Sequence, residues 1–237
     1  MSMIVDGHTT IEHSIPLAHL YDDVHQLWRQ TEVSYTPTLV VAYGGSWGEN
    51  YWYETTPVWD DARLQQYVPR RVLDSRARRP VQVPENELNH IAIAREATRL
   101  SREGVNVELG AHGQREGLAA HWEMWMMEQG GSTPMEALRF GTLNGARALG
   151  MDRDIGSLEV GKLADMVVLD ANPLDSLRNT TAIAYTVANG RVYDAHMDEV
   201  GRRSLPRAPF WFEGSDGEAW SAGAATSDSG GHGHGPD

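Results

Sequence analysis

Two histidines stand just after runs of β-forming residues, where an imidazole could serve as a metal ligand. His13 ends the run TTIEH (9–13), and His112 follows the run VNVEL (105–109) after two residues. In parallel α/β folds the loops that leave the carboxyl ends of the strands converge on one edge. Two imidazoles that meet at this edge could bind a divalent ion such as zinc. Each histidine could instead simply hydrogen-bond to a backbone carbonyl beside its loop.

Acidic residues near these histidines are candidates for orienting a ligand or accepting a proton. Glu108 shares the face of His112 if the side chains alternate along the strand, and Glu116 lies on the loop that follows. Glu116 could equally be a solvated surface residue. The same alternation predicts that Glu12 points away from the face that carries His13.

A long segment, residues 43–86, follows the second predicted strand and is rich in glycine, tyrosine, tryptophan and arginine. We predict an irregular insertion that acts as a lid, because structureless loops of this length are rare in compact domains. We predict that its aromatic side chains shape a substrate pocket, together with a histidine on a later helix. These candidate substrate-binding residues are Tyr43, Trp47, Tyr51, Trp52 and His121.

Strand and helix patterns alternate through residues 1–150, which predicts an α/β fold with parallel strands. The run SYTPTLVV (34–41) is typical of a strand buried on both faces. Apolar spacing predicts one helix within residues 17–28 and another from about residue 86 to Gly104, where glycine supplies the stop. Thr133, Pro134 and Glu136 predict a capping box that starts a helix at residue 134.

The pattern changes after residue 150, where turn-forming residues surround short β-like runs. MVVL (166–169) predicts a strand, and two alternating runs around Asn189-Gly190 predict a hairpin with a tight primed turn. We therefore predict an antiparallel annex over residues 151–200. The tail, residues 201–237, is poor in apolar residues, and we predict that its end is disordered.

Composition limits the classes of partner. The 237 residues carry a net charge of −13, which argues against nucleic acid or an anionic membrane as partner. No apolar run approaches the roughly 20 residues of a membrane span, and MSMIVDGHTT lacks the pattern of a signal peptide. Cysteine is absent. The compartment stays open between the cytoplasm and export through an upstream segment.

The number of predicted strands is too small for a complete sheet. Three parallel strands leave two open edges and much uncovered apolar surface. We therefore expect this sequence to be the C-terminal portion of a longer protein. The alternative is that other chains, such as further copies in a homo-oligomer, complete the sheet.

The segment MEALRFGTLNGARALGMDRDIGSLEVGKLADMVVLDANPL (135–174), followed by VANGRVYDA (187–195), resembles the C-terminal region of the amidohydrolase superfamily. The resemblance is greatest to its imidazolonepropionase- and prolidase-like branch and extends over about residues 3–195. It implies a TIM-barrel metal-dependent hydrolase whose sixth to eighth strands are TIEH, SYTPTLVV and VNVEL. It also implies that residues 155–195 form part of a small β-sandwich built from both chain ends.

The resemblance assigns His13 as a metal ligand at the end of the sixth strand. At the end of the eighth strand the family carries a metal-binding aspartate that relays a proton, and His112 stands in the matching region here. A metal-bound imidazole is a poor general base, so Glu108 or Glu116 would have to accept the proton. The family's first-strand motif, His-x-His, does not occur outside the tail, and the ligands from the fourth and fifth strands are also missing.

The sequence therefore predicts part of a metal-dependent amidohydrolase, with zinc as the expected ion, that hydrolyses C–N bonds in small amide or peptide-like substrates. Two alternatives stay open. The chain could be a non-catalytic fragment or scaffold that completes a barrel with a partner, or a module that binds a ligand through its aromatic segment.

Overall fold

The computed structural model describes residues 1–17, 19–77, 82–115 and 117–201. Within these ranges the α-helices are α1 (Ser2–Val5), α2 (Asp22–Trp28), α3 (Gly48–Thr55), α4 (Ala62–Tyr67), α5 (Arg70–Ala77), α6 (Asn89–Arg102), α7 (Leu118–Gln129), α8 (Pro134–Arg139) and α9 (Gly145–Ala148). The strands are β1 (Thr10–Glu12), β2 (Ser34–Thr36), β3 (Met166–Leu169), β4 (Ile183–Ala188) and β5 (Arg191–Asp194). The predicted α/β class is confirmed as a mixed α/β fold.

A small parallel unit lies at the centre of the first 150 residues. β1 pairs with β2 in parallel, with Ile11 opposite Tyr35. Tyr35 also forms a parallel bridge to Val107, supported by a 3.0 Å hydrogen bond from the Glu108 N–H to the Tyr35 carbonyl. The segment 105–109 therefore lies beside β2 as predicted, although it pairs through a single bridge.

The strand predicted over residues 34–41 is wrong beyond Thr36. Pro37 has no N–H to offer a neighbouring strand, and Thr38 adopts a left-handed φ of 51°. Residues Leu39–Val41 then form a 3₁₀ turn whose side chains are all buried. The apolar run thus belongs to the core, but only its first part is β-structure.

The segment 43–86 is not irregular, contrary to the prediction. It contains α3, α4 and α5, together with 3₁₀ turns at Val58–Asp60 and Glu85–Glu87. Asp61 caps α4, since its carboxylate accepts a 2.8 Å hydrogen bond from the Leu64 N–H. Short helices of this kind escape periodicity analysis because each spans only two turns.

The core lies where α3, α6 and α7 meet behind the parallel unit. α6 buries Ala94, Ala97 and Leu100, as its apolar spacing predicts, and also Ile93, which that spacing did not include; it packs against α7. At the end of α7, a Cβ on Gly130 would lie 2.5 Å from the Ala94 carbonyl carbon. Glycine is therefore required there for the two helices to approach each other.

The region after residue 150 agrees with prediction. β3, β4 and β5 form an antiparallel sheet in chain order, and β3 has the predicted bounds. Asn189 and Gly190 both have positive φ, 50° and 77°, as a primed hairpin turn requires.

Thr133 and Glu136 form the predicted capping box, with Pro134 as the first residue of α8.

None of the helices in the described ranges has the length and apolarity to cross a membrane. Residues 202–237, where we predict disorder at the end of the tail, lie outside the described residues.

Candidate active site

A cavity of about 560 Å³ opens at the carboxyl ends of β1, β2 and the segment 105–109. Its polar lining residues are Thr10, Glu12, His13, Thr36, Thr38, Glu108 and His112. A Cβ on Gly110 would lie 2.4 Å from the Thr38 hydroxyl oxygen, so the backbone can pass here only as glycine. The parallel unit thus gathers both candidate histidines at one edge, as predicted.

The helical wall of this cavity fixes the segment 105–109. Phe140–Asn144 form a π-helical turn between α8 and α9, an irregularity that is frequent at functional sites. The Asn144 side chain donates a 2.8 Å hydrogen bond to the Val107 carbonyl. Asn106 in turn donates to the Asn144 carbonyl at 3.0 Å. The two bonds tie the segment 105–109 to the helical turn.

The imidazoles of His13 and His112 are in contact. Their ring centroids lie 5.0 Å apart in an edge-on arrangement, with 71° between the ring planes. The Tyr43 ring lies 5.6 Å from that of His13, and its backbone N–H donates to the Ser14 hydroxyl at 2.9 Å. The structure therefore places His13, His112 and Tyr43 together.

Both histidines leave regular strand geometry. His13 has a φ of 70° and His112 a φ of 52°, values that are uncommon for residues with a side chain. The alternation that predicted Glu12 to point away from His13 is therefore broken at His13, and both residues line the same cavity. Glu12, which strand alternation directed away from His13, is thus a cavity-lining residue. The available signal was that Thr10 and Glu12 share one face of a strand whose Ile11 is buried.

Glu108 is a buried carboxyl group on the wall of this cavity. It accepts hydrogen bonds from the Thr36 hydroxyl at 3.0 Å and from the Asn106 amide at 3.3 Å. Burial raises the pKa of Glu108 to about 7, against the lowering effect of Thr36 and with a further contribution from the Glu12 charge. A carboxyl group with a pKa near neutrality can both accept and donate a proton. Glu116, the other predicted proton acceptor, lies outside the described residues.

The two imidazoles offer ring nitrogens suited to a divalent metal. His13 Nδ1 is buried and has no hydrogen-bond partner in the described part of the chain. His112 Nδ1 lies 3.2 Å from the Gln114 side-chain oxygen; when Nδ1 donates to that oxygen, Nε2 keeps the lone pair that a metal would take. No group of three or more histidine, aspartate or glutamate side chains in the described ranges is placed to hold a metal ion. The described residues therefore offer two candidate ligands, fewer than the three protein ligands that a zinc site needs.

The remaining predicted substrate residues lie elsewhere. Trp52 is fully buried, with its ring stacked 5.9 Å from that of Trp122, so it belongs to the core. Tyr51 packs against Trp52 and His90, and Trp47 is half-exposed; neither lines the cavity. His121 lines a different cavity, formed by α4, α7 and β4. These positions correct the prediction of one pocket built by all five side chains.

Comparison with known proteins extends over much of this chain. A family model described as the amidohydrolase family matches residues 55–193. A 5-methylthioadenosine/S-adenosylhomocysteine deaminase of Caldanaerobacter subterraneus subsp. tengcongensis is 33% identical over 129 residues, covering 48% of this chain and 29% of that protein. An imidazolonepropionase of Symbiobacterium thermophilum is 59% identical over 39 residues, covering 16% of this chain and 9% of that protein.

Solved structures show the same fold relationship. The crystal structure of a Xaa-Pro dipeptidase with bound methionine superimposes with a TM-score of 0.55 and 20% identity, covering 81% of this chain and 41% of that one. The chain thus spans less than a third of these curated relatives and about two fifths of this structural neighbour. Because the family model matches more than half of the residues, the chain belongs to the amidohydrolase family.

Proposed function

We propose that this chain forms part of a metal-dependent hydrolase that cleaves C–N bonds in small amide or peptide-like molecules. The observation that carries the proposal is the contact between His13 and His112 at the carboxyl edge of a parallel unit, with His13 Nδ1 buried and unpaired within the described residues. Unpaired buried nitrogens are costly unless a ligand satisfies them. Membership of the amidohydrolase family supports hydrolytic chemistry at this edge.

In this proposal His13 and His112 hold the metal, and zinc is the expected ion because imidazole nitrogens suit it. A bound zinc ion supplies Lewis acidity, which polarises a substrate carbonyl and acidifies water. Glu108 holds or releases the proton, since its pKa lies near 7 and its carboxyl group lines the cavity. Burial is the main reason why that pKa is high, and charge repulsion from the nearby Glu12 contributes less.

We further propose that residues 1–150 correspond to the sixth to eighth strands and the connecting helices of a TIM barrel, with residues 151–200 forming part of a β-sandwich. The order β1, β2 and then the Val107 segment supports this assignment. Within the described residues β1 pairs only with β2. Further strands, from the same protein or a second copy, would close the barrel and supply the missing metal ligands.

Zinc binding by the purified chain tests the proposal. His232 and His234 in the tail could bind metal adventitiously, so both are first changed to glutamine in every sample. Because this chain supplies only two of the proposed ligands, we expect calorimetric titration to show one weak zinc site, which His13→Ala and His112→Ala each weaken further by at least about tenfold. The matched control is His19→Ala, because His19 is an exposed histidine whose side chain is 76% accessible.

Equal zinc affinity in the two variants and the control would refute the assignment of His13 and His112 as ligands. Complete absence of zinc binding would favour the second candidate, a non-catalytic piece that completes a barrel. That alternative has support of its own, because the described residues hold no group of three metal-binding side chains.

A further inference from the structure

A second cavity of about 430 Å³ lies between α4, the start of α7 and the beginning of β4. Its apolar wall includes Leu64, Val68, Leu118 and Ile183. It shares no lining residue with the cavity at His13 and His112. Its volume falls within the range of small-molecule sites, about 300–1,000 Å³. It is therefore a separate candidate site, and its polar groups decide what could bind there.

The hydrogen bonds around His121 fix which ring nitrogen carries a proton. His121 Nδ1 lies 2.9 Å from the Thr180 hydroxyl oxygen. That hydroxyl donates its single proton to the Leu177 carbonyl at 2.8 Å and also accepts from the Trp125 indole at 3.3 Å. When its one proton is committed to the Leu177 carbonyl, the Thr180 hydroxyl accepts from His121. The proton between them therefore belongs to Nδ1.

The other ring nitrogen of His121 is then a hydrogen-bond acceptor. Burial and, to a smaller extent, the charge of Arg63 lower the pKa of His121, which keeps the ring neutral near pH 7. A neutral ring protonated at Nδ1 has a lone pair at Nε2. Nothing in the described part of the chain donates to Nε2, and this atom is not sealed inside the protein. The wall of the cavity thus presents one unsatisfied acceptor.

The two charged groups of the cavity each make one hydrogen bond to the backbone and are opposite in sign. Asp61 accepts from the Leu64 N–H at 2.8 Å, and Arg63 donates to the Thr181 carbonyl at 2.9 Å. The Tyr67 hydroxyl donates to the Ala195 carbonyl at 3.1 Å. A carboxylate and a guanidinium together leave no net charge, so this environment favours a neutral ligand.

We propose that this cavity binds a neutral small molecule with a compact apolar body and a single hydroxyl or N–H donor, which His121 Nε2 accepts. Phenols and small aromatic amines have this chemistry. The apolar body contacts Leu64, Leu118 and Ile183, and the donor satisfies the nitrogen that the protein leaves without a partner. This site is independent of the proposed metal centre.

Nuclear magnetic resonance of the full chain with ¹⁵N-labelled histidine tests the proposal. The probe is p-cresol, and toluene is the matched probe because it has the same ring and methyl group without the hydroxyl. The free protein is expected to show His121 protonated at Nδ1. p-Cresol should shift the His121 Nε2 signal to saturation and bind about five to ten times more tightly than toluene.

Variants separate the hydrogen bond from the cavity itself. In His121→Phe, p-cresol and toluene should bind equally well, whereas Leu118→Trp should abolish binding of both by filling the space. His19→Phe is the control, because His19 is exposed and does not line the cavity. A His121 ring protonated at Nε2, or equal binding of both probes to the unaltered chain, would overturn the proposal even if a variant failed to fold.

Discussion

At the scale of single residues, backbone strain is concentrated at the edge that carries the candidate site. His13, Thr38 and His112 all adopt positive φ, and all three line the same cavity. Such conformations cost about 1–3 kcal/mol each and persist where the surrounding structure enforces them. The strain turns His13 onto the face that Glu12 also occupies. Strand alternation alone could not reveal this, because it assumes regular backbone up to the last residue.

Replacing His13 by glycine is expected to give a more stable chain than replacing it by alanine. Both changes remove the imidazole, but only glycine adopts a φ of 70° without strain. The free energy of unfolding, measured in urea, should be about 1 kcal/mol higher for His13→Gly than for His13→Ala. At His121, which lies within α7, the alanine variant should instead be the more stable one, because glycine costs a helix about 1 kcal/mol relative to alanine. Equal stabilities at position 13 would argue against the left-handed backbone.

The pKa of Glu108 offers a second check at this scale. A ¹³C titration of the glutamate carboxyl groups should give a value of about 7 for Glu108. Glu12→Gln should lower this pKa, because it removes a neighbouring negative charge. Thr36→Val should raise it, because it removes a hydrogen bond to the ionised form. Both changes moving the pKa in one direction would contradict the assigned causes.

At the scale of elements, sequence patterns were reliable where a local rule fixes the backbone. The capping box at Thr133, the primed turn at Asn189-Gly190 and the bounds of β3 all follow from residue types within a few positions. They failed over residues 34–41 and 43–86, where apolar and aromatic residues are buried without a regular period. Leu39–Val41 and α3 pack against α7, which is distant in sequence.

The start of α8 gives the prediction that belongs to this scale. The Thr133 hydroxyl accepts from the Glu136 N–H, while the Glu136 carboxylate accepts from the Thr133 N–H at 2.7 Å. Thr133→Ala should lower the free energy of unfolding by about 1 kcal/mol, measured by urea denaturation at pH 7. Thr133→Ser keeps the hydroxyl and should lose much less. A loss of the same size in both variants would show that the methyl group, rather than the cap, matters.

At the scale of the whole molecule, the site depends on contacts that join distant segments. Predicting that His13 and His112 meet required only the rule that parallel strands present their carboxyl ends at one edge. Placing His121 in another cavity required knowing which face of α7 is directed towards the core. The run HWEMWMM is apolar on too many sides to identify that face. Only the structure reveals that Glu123 on α7 reaches residues 39–41 and is fully buried.

That buried glutamate should make the stability of the whole chain depend on pH. Glu123 accepts a 2.8 Å hydrogen bond from the Val40 N–H, but its Oε2 has no partner within the described residues. Burial raises its pKa to about 8. Between pH 4.5 and 8 the unfolded chain is ionised at this residue while the folded chain keeps the proton. The folded state therefore binds more protons, and its stability falls as pH rises through this window.

Glu123→Gln should remove this dependence, because glutamine keeps an oxygen for Val40 and does not ionise. Relative to the variant, the unaltered chain should lose up to roughly 1.4 kcal/mol for each pH unit across this window. Urea unfolding at several values from pH 5 to pH 9 measures the difference, and the exposed Glu54→Gln serves as the control. A constant difference between Glu123→Gln and the unaltered chain would mean that Glu123 ionises normally and that its burial is relieved by local opening.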